Sequence, residues 1–300
     1  MSRDLSAMNV EANKAAQKYM GKLAWPTILF GLAVPAGAII TLVLFANGSL
    51  PLWAATPLLG ALTYMAYSTV HEGAHGNISG NHKSLSFLNT ALGTLNASFI
   101  LVPFAGHRTE HLVHHRFTND PERDPDAMLA GSASHPLKFG KVALQFLIKA
   151  GGYPFQEGRW SSVSLGLRAA YIAEIVVMIG WRLAFFAVAP FWEALALLVL
   201  SYAFALYFLV YWFAYRPHYP YTETERYRST AHLIAPKWAR PIRWFWLGQD
   251  LHGIHHLFPR VPFYHYHALY RDIEPILRAN NAPIYPLFGS DKHASAAQPA

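Results

Sequence analysis

The chain has 300 residues, of which 53% are hydrophobic and 14% charged, with a formal net charge of +7. Together with 9 Trp, 16 Tyr and 19 Phe, this apolar content exceeds what a soluble core needs and points to a membrane protein. The charges fall between apolar segments, which excludes the basic face of a nucleic-acid-binding protein, and the absence of cysteine excludes disulfides, iron–sulfur clusters and thiolate ligands. Any electrons that the chemistry consumes must therefore come from another protein.

Residues 1–22 are mixed polar and lack the order of a signal peptide, so the amino terminus is expected in the cytoplasm. Residues 23–46 form an uncharged run long enough to cross a hydrocarbon core of roughly 30 Å. After the turn Asn47-Gly48-Ser49, residues 50–70 cross back and lead directly into His71. Residues 85–106 are apolar but carry Asn89, Asn96 and two glycines. A full crossing there would put His75 and His111 on opposite faces of the bilayer, so a re-entrant or interfacial helix is expected. Residues 136–160 mix Lys138, Lys141 and Lys149 with apolar residues, as an interfacial helix bordering a substrate entrance would.

Residues 165–189 and 192–214 form a second hairpin about Pro190. Glu174, Arg182 and Glu193 interrupt it, and such residues are costly at mid-membrane unless they snorkel or face protein. Neither tight turn contains Lys or Arg, and the other loops hold nearly all of them. By the positive-inside rule both termini and every histidine cluster lie on the cytoplasmic side. The expected fold is an all-α integral membrane protein with four transmembrane helices in two hairpins, a re-entrant or interfacial helix and a cytoplasmic histidine-rich cap. Residues 1–288 are expected to be one domain and residues 289–300 a disordered tail. Trp238, Trp244, Phe245, Trp246, Phe263, Tyr264 and Tyr266 read as an interfacial aromatic belt.

The chemistry lies in three clusters: His71-Glu72-Gly73-Ala74-His75, His111-Leu112-Val113-His114-His115 and His252-Gly253-Ile254-His255-His256. Residues three and four apart share a helix face, so each cluster presents converging imidazoles. Imidazole suits iron, zinc, copper and nickel, and eight such ligands exceed what one ion accepts, which argues for two ions. Any one of the 16 histidines is by default a surface or core residue. Three patterned clusters beside a bilayer are not. His232, in Ser229-Thr230-Ala231-His232, is a candidate ninth ligand, whereas His82 and His107 are each open to being a ligand, a partner of a ligand or a polar interfacial residue, the last being preferred. Glu72, Glu110, Asp120, Asp124, Asp126 and Asp250 are the acidic neighbours available to orient metal-bound rings. The Pro-punctuated loop 119–126 stops the helix of the second cluster.

These clusters, in this order and separated by hydrophobic hairpins, resemble the membrane fatty acid desaturase and hydroxylase superfamily over residues 71–266. The resemblance implies a di-iron centre liganded by His71, His75, His111, His114, His115, His252, His255 and His256, with His232 the additional candidate. It also implies dioxygen as co-substrate, a lipid-soluble substrate, a ferredoxin or similar donor, and a multi-pass position in a bacterial inner membrane. Arg108-Thr109-Glu110-His111, the acidic loop and His255-His256-Leu257-Phe258-Pro259 look most like bacterial carotenoid ring hydroxylases, and an acyl-lipid desaturase or hydroxylase is the alternative. The three-residue gap of the first cluster and His252 in place of glutamine set stearoyl-CoA-type and front-end desaturases aside. No His-Pro-Gly-Gly haem motif of a fused cytochrome b5 is present.

Taken alone, His71-Glu72-x-x-His75 also matches a zinc metalloprotease with Glu72 as base, but that leaves two clusters unexplained. A metal transporter would place ligands within the spans rather than at their ends.

Overall fold

The computed structural model describes residues 4–130, 136–152 and 158–288, so the expected tail 289–300 lies outside the described residues. Four helices form the hydrophobic body. α2 (Trp25–Ala46) starts with a proline in its first turn, and α3 (Leu52–Ala74) follows Pro51, whose fixed φ suits a helix start. The second hairpin is α8 (Leu165–Val188) and α9 (Phe191–Leu209), with α9 continuing into a π-helical turn at Val210–Tyr215. Ahead of them α1 (Leu5–Gln17) is capped by the Asp4 carboxylate, which accepts from the Ser6 amide.

Three helices, α2, α8 and α9 with its π turn, are each long and apolar enough to cross a bilayer. Leu29, Ile39, Ile40 and Val43 of α2 and Ile172, Val176, Val177 and Leu183 of α8 face outward, as lipid-facing residues do. α3 is just as long but less apolar, because it is the central helix, packed by α2, α9 and α4 (Phe87–Ile100), and needs little lipid-compatible surface. Close approach is achieved with small residues: a Cβ on Gly31 would meet Thr69 at 2.8 Å, and one on Gly60 would meet Phe204 at 2.9 Å.

The apolar segment after the first histidine cluster does not run straight. α4 (Phe87–Ile100) and α5 (Phe104–Arg116) meet at a 97° bend, formed by Leu101 at φ 59° and by Pro103 at the start of α5. Asn89 and Asn96, which argued against a plain span, hold α4 in place. Asn89 accepts from the Ile78 amide at 3.0 Å, and Asn96 donates to the Gly31 carbonyl at 2.9 Å.

The bend is braced from α8 by two of the three charged residues that look misplaced in the sequence, the third, Glu193, lying in the first turn of α9. Arg182 donates to the carbonyls of Ser98 (3.1 Å) and Phe99 (3.4 Å) at the end of α4. Glu174 accepts from Thr94 (2.8 Å) and from the Ala105 amide (3.0 Å) at the start of α5. Each charge meets the helix end of opposite polarity, so both face protein rather than lipid.

α6 (Pro136–Gly151) and the short α7 (Arg159–Ser162) separate α5 from α8. The cap holds α10 (His252–Leu257) and the amphipathic α11 (Tyr266–Ala279), whose Leu269, Ile273, Ile276 and Leu277 pack with Met8, Ala12 and Ala16 of α1. Among the described residues one feature departs from an all-helical chain: β1 (His232–Ile234) and β2 (Ile284–Pro286) pair in parallel, His232 opposite Ile284.

Candidate metal centre

Histidines from α3, α5 and α10 converge. His71 and His75 end α3, His111, His114 and His115 lie in the last turns of α5, and His252, His255 and His256 fill α10. His71, His75, His111, His115 and His255 form a first group whose ligand nitrogens all lie within 4.8 Å of one another. Within it Nε2–Nε2 separations are 2.9 Å for His71 and His255, 2.8 Å for His75 and His111, 3.2 Å for His111 and His115, and 2.7 Å for His115 and His255. Nitrogens bound to a common ion at about 2.1 Å stand about 3 Å apart, so the group has the dimensions of a metal site.

The second group contains His114, His218 and His256, with His252 joined to it. His256 Nε2 lies 3.3 Å from His114 Nε2 and 3.2 Å from His252 Nε2, and the rings of His218 and His256 are 4.7 Å apart. The two groups adjoin where His115 stacks on His256 at 4.3 Å.

The chemistry of the partners fits a cation at the second group. His114 Nδ1 is 2.8 Å from the Asp124 carboxylate, and His252 Nδ1 is 2.6 Å from Gln249 Oε1. Both Nδ1 atoms must donate, so Nε2 is the nitrogen each ring turns toward His256, and it offers a lone pair there once the ring is neutral. His256 Nδ1 meets Thr118 Oγ1 at 3.3 Å, and His218 Nδ1 meets Asn119 Oδ1 at 3.2 Å. Such partners fix the tautomer and ring orientation of metal-bound histidine. Burial lowers the pKa of His111, His115, His218, His252, His255 and His256, which keeps them neutral. His114 differs: burial lowers it, but Asp126 and Asp124 outweigh that and raise it to about 9.

His218 is absent from the sequence reading. It stands alone in Arg216-Pro217-His218-Tyr219-Pro220, without helical spacing to another histidine. Its signal is positional, a lone histidine just beyond the last apolar helix, at the depth of the other clusters. His232 is not brought into either group. It is fully buried on β1, its ring lies 5.6 Å from that of Tyr270, neither ring nitrogen has a hydrogen-bond partner, and burial lowers its pKa to about 3.

Of the acidic neighbours, Asp124 and Asp126 reach His114, the latter at 3.6 Å. Asp120 is engaged with Arg123 instead, and Asp250 faces His267 at 3.1 Å. Glu72 is buried, accepts from Asn77 and is not among the clustered ligand atoms. Tyr266 leaves the aromatic belt in which its sequence neighbours put it: it is buried, and its hydroxyl lies 3.0 Å from His255 Nδ1. Trp246 is also buried, whereas Trp238 and Trp244 are exposed as a belt requires. His82 is exposed, and His107 is buried and stacked on His111 at 5.3 Å.

A largely apolar tunnel ends on the imidazoles. His107, His111, His114 and His252, with the carboxyl groups of Glu110 and Asp126, form its polar end, and Thr63, Tyr67, Ile100, Leu206, Val210 and Phe213 line its largely apolar walls. Its empty space, open mouth included, is about 860 Å³. Phe146 and Leu147 of α6 contribute to the wall.

Residues 47–288 match the family described as "Fatty acid desaturase". The chain is 27% identical over 273 residues to "Omega-3 fatty acid desaturase, chloroplastic" of Ricinus communis, covering 79% of this chain and 55% of the relative. It is 25% identical over 262 residues to the protein of the same name from Brassica napus, covering 75% and 62%. It is also 25% identical over 262 residues to "sn-2 acyl-lipid omega-3 desaturase (ferredoxin), chloroplastic" of Arabidopsis thaliana, covering 75% and 56%. The chain thus spans a little over half the length of these curated relatives.

Proposed function

Since the chain belongs to the fatty acid desaturase family, we propose that it is a membrane-bound, dioxygen-dependent di-iron oxidoreductase that attacks an unactivated C–H bond of a lipid-soluble hydrocarbon. The observation that carries this reading is the pair of adjoining imidazole groups at the polar end of an apolar tunnel. His71, His75, His111, His115 and His255 would hold one iron, and His114, His218, His252 and His256 the other. His232 is left out of the set because no cluster includes it. Bound iron supplies the activation of dioxygen that no side chain of this protein can supply alone.

The chain's own residues perform the remaining tasks. Asp124, Gln249, Asn119 and Thr118 hold four rings from behind, so that their Nε2 atoms converge. The walls formed by Ile100, Leu206, Leu209, Val210 and Phe213 exclude water and keep the hydrocarbon close to the imidazoles. Reduction of dioxygen to two waters takes four electrons. Forming a carbon–carbon double bond supplies two, and a donor protein supplies the other two. For hydroxylation, one oxygen enters the substrate, the other leaves as water, and the donor again supplies two electrons. Half-buried His75, His115 and His256 are the rings nearest solvent, and the exposed Arg116, Arg226 and Arg260 nearby suit an acidic donor such as a ferredoxin.

An acyl chain is the first substrate class, because each relative named above is an acyl desaturase. The carotenoid-ring reading is second, favoured only by the motif around His111, the acidic loop 119–126 and His255-His256-Leu257-Phe258-Pro259. The four-span arrangement with a cytoplasmic histidine cap rests on the loop charges and on α3 as the enclosed fourth span. Placement in a bacterial inner membrane rests on the sequence resemblance.

The test is expression in bacteria that make beta-carotene, with acyl lipids and carotenoids from the same cells profiled by mass spectrometry and iron measured on the purified protein. New unsaturated or hydroxylated acyl chains, lost in His255→Ala, are the expected result. Hydroxylated carotene with unchanged acyl lipids moves the substrate to the carotenoid ring. No new product with either substrate class, or a purified protein without iron, overturns the reading.

A further inference from the structure

The tunnel has a neighbour. A second cavity lies between α3, α4, α8 and α9, lined by Leu59, Phe99, Trp181, Phe186 and Leu198 among others. The two spaces share Thr63 and Tyr202 and no other lining residue. Thr63 precedes His71 by eight residues on α3, so at 1.5 Å per residue this shared wall stands about 12 Å from the imidazoles.

Tyr202 is fixed in that position. Its hydroxyl donates to the Ile100 carbonyl at 2.5 Å, at the end of α4 where the bend leaves carbonyls without helical partners. On the far side the one charged residue of the wall, Arg182, is already engaged with the carbonyls of Ser98, Phe99 and Met178 and lies over the Trp181 ring at 4.1 Å. What remains behind the tyrosine is apolar space, which water does not fill favourably and hydrocarbon does.

On the reading that the tunnel holds a hydrocarbon chain, we propose that Tyr202 is the floor of the tunnel and the residue that sets the longest chain the protein accepts. A chain reaching the floor must stop, bend or displace an aromatic ring tied to the backbone. If the ring is absent, a longer chain runs on into the second cavity. Each further methylene buried there stabilises binding by about 0.8 kcal/mol, or roughly fourfold in affinity. Tyr202 acts on chain length alone, because it is separated from the imidazoles by two turns of α3.

The experiment supplies the full-length purified protein with saturated fatty acids of graded length and reads thermal midpoint shifts. The product distribution is read in cells fed the same acids. Tyr202→Ala is expected to move both optima to longer chains, with long-to-short ratios rising about fourfold per added methylene. Tyr202→Phe, which keeps the ring and loses the bond to Ile100, is expected to retain the wild-type length preference. Adding Leu198→Trp to Tyr202→Ala refills the second cavity and should return the preference to wild type.

An unchanged length preference in a folded Tyr202→Ala protein overturns the proposal, and this is also the result if a bilayer lipid occupies the second cavity. If Tyr202→Ala does not insert, Tyr202→Leu is read in the same way. Absence of turnover in the wild type would instead count against the enzymatic reading, while the binding shifts still decide the role of Tyr202.

Discussion

The two imidazole groups adjoin but are built differently. In the group of His114, His218, His252 and His256, every Nδ1 has a side-chain partner: Asp124, Asn119, Gln249 and Thr118. In the group of His71, His75, His111, His115 and His255, the described residues give only His255 such a partner, Tyr266, and His71 Nδ1 is buried with none. The first group is positioned by packing of the helices that carry it. The second takes its rings from α5, α10 and the loop residue His218, and an outer ring of hydrogen bonds fixes each of them.

The strongest way to break this comparison is to remove one ligand from each group. His255→Ala and His114→Ala are both expected to reduce turnover to background, with iron content measured on the purified proteins as the separating readout. The four-ligand group is expected to lose its ion completely in His114→Ala, and His218→Ala should do the same. Full activity in either of the first two variants would contradict a two-ion site. Full iron content in His218→Ala would return that residue to the loop in which the sequence hides it.

Outer partners come next in size. Asp124→Asn leaves His114 in contact with an amide of undefined orientation and also weakens the bond from the Asn119 amide to Asp124, which is 2.7 Å long. A loss of about 10- to 100-fold in metal affinity is expected, measured by competition with a chelator. Tyr266→Phe removes a neutral partner from a group that packing already holds, so its effect should be below about tenfold. Equal losses from the two substitutions would remove the distinction between the groups.

What the sequence revealed does not follow that division, because His114, His252 and His256 of the second group are legible on the same helical spacing as the first. His71, His75, His111 and His115 were legible because helical spacing converts directly into a shared face. His218 was not, because its place depends on where the chain travels after the π turn at Val210–Tyr215, a tertiary property without local signature. The bend between α4 and α5 was foreseen only as a need, from the requirement that His75 and His111 lie on one side. Its braces, Glu174 and Arg182, appeared as defects in a hydrophobic hairpin. They are polar because they face the polar ends of two broken helices, information carried by another part of the chain. The β1–β2 pair was missed because three-residue strands fall below the length at which alternation can be recognised.

A smaller effect separates the groups by pH. In the metal-free chain the acidic loop raises His114 to about 9, so near neutral pH its Nε2 carries a proton that an incoming ion must displace. Burial lowers His111, His115 and His255, which keeps their nitrogens free across the same range. Affinity at the second group should therefore rise about tenfold per pH unit between neutrality and about 9 and then level off, whereas the first group stays flat. Asp126→Asn, which removes the largest of the raising influences on His114, should flatten the second profile as well. Parallel profiles in the wild type would mean that the loop carboxylates do not hold that proton.

The smallest effect on metal content belongs to His232, and it tests the limit of pattern reading. The residue is fully buried, yet both ring nitrogens lack partners, and its ring fills the space over Gly253, where an added Cβ would come within 2.5 Å. A ligand would show its nitrogen among the converging Nε2 atoms, and this ring instead lies against Tyr270. His232→Phe should leave iron content and turnover unchanged. Its effect on stability is the difference of two opposed contributions. Removing unpaired buried polar atoms stabilises by about 1–3 kcal/mol, and fitting a slightly larger ring into a tight space costs about 1–3 kcal/mol. The thermal midpoint should therefore move little in either direction, and loss of an iron in this variant would show that His232 reaches the metal in a conformation other than this one.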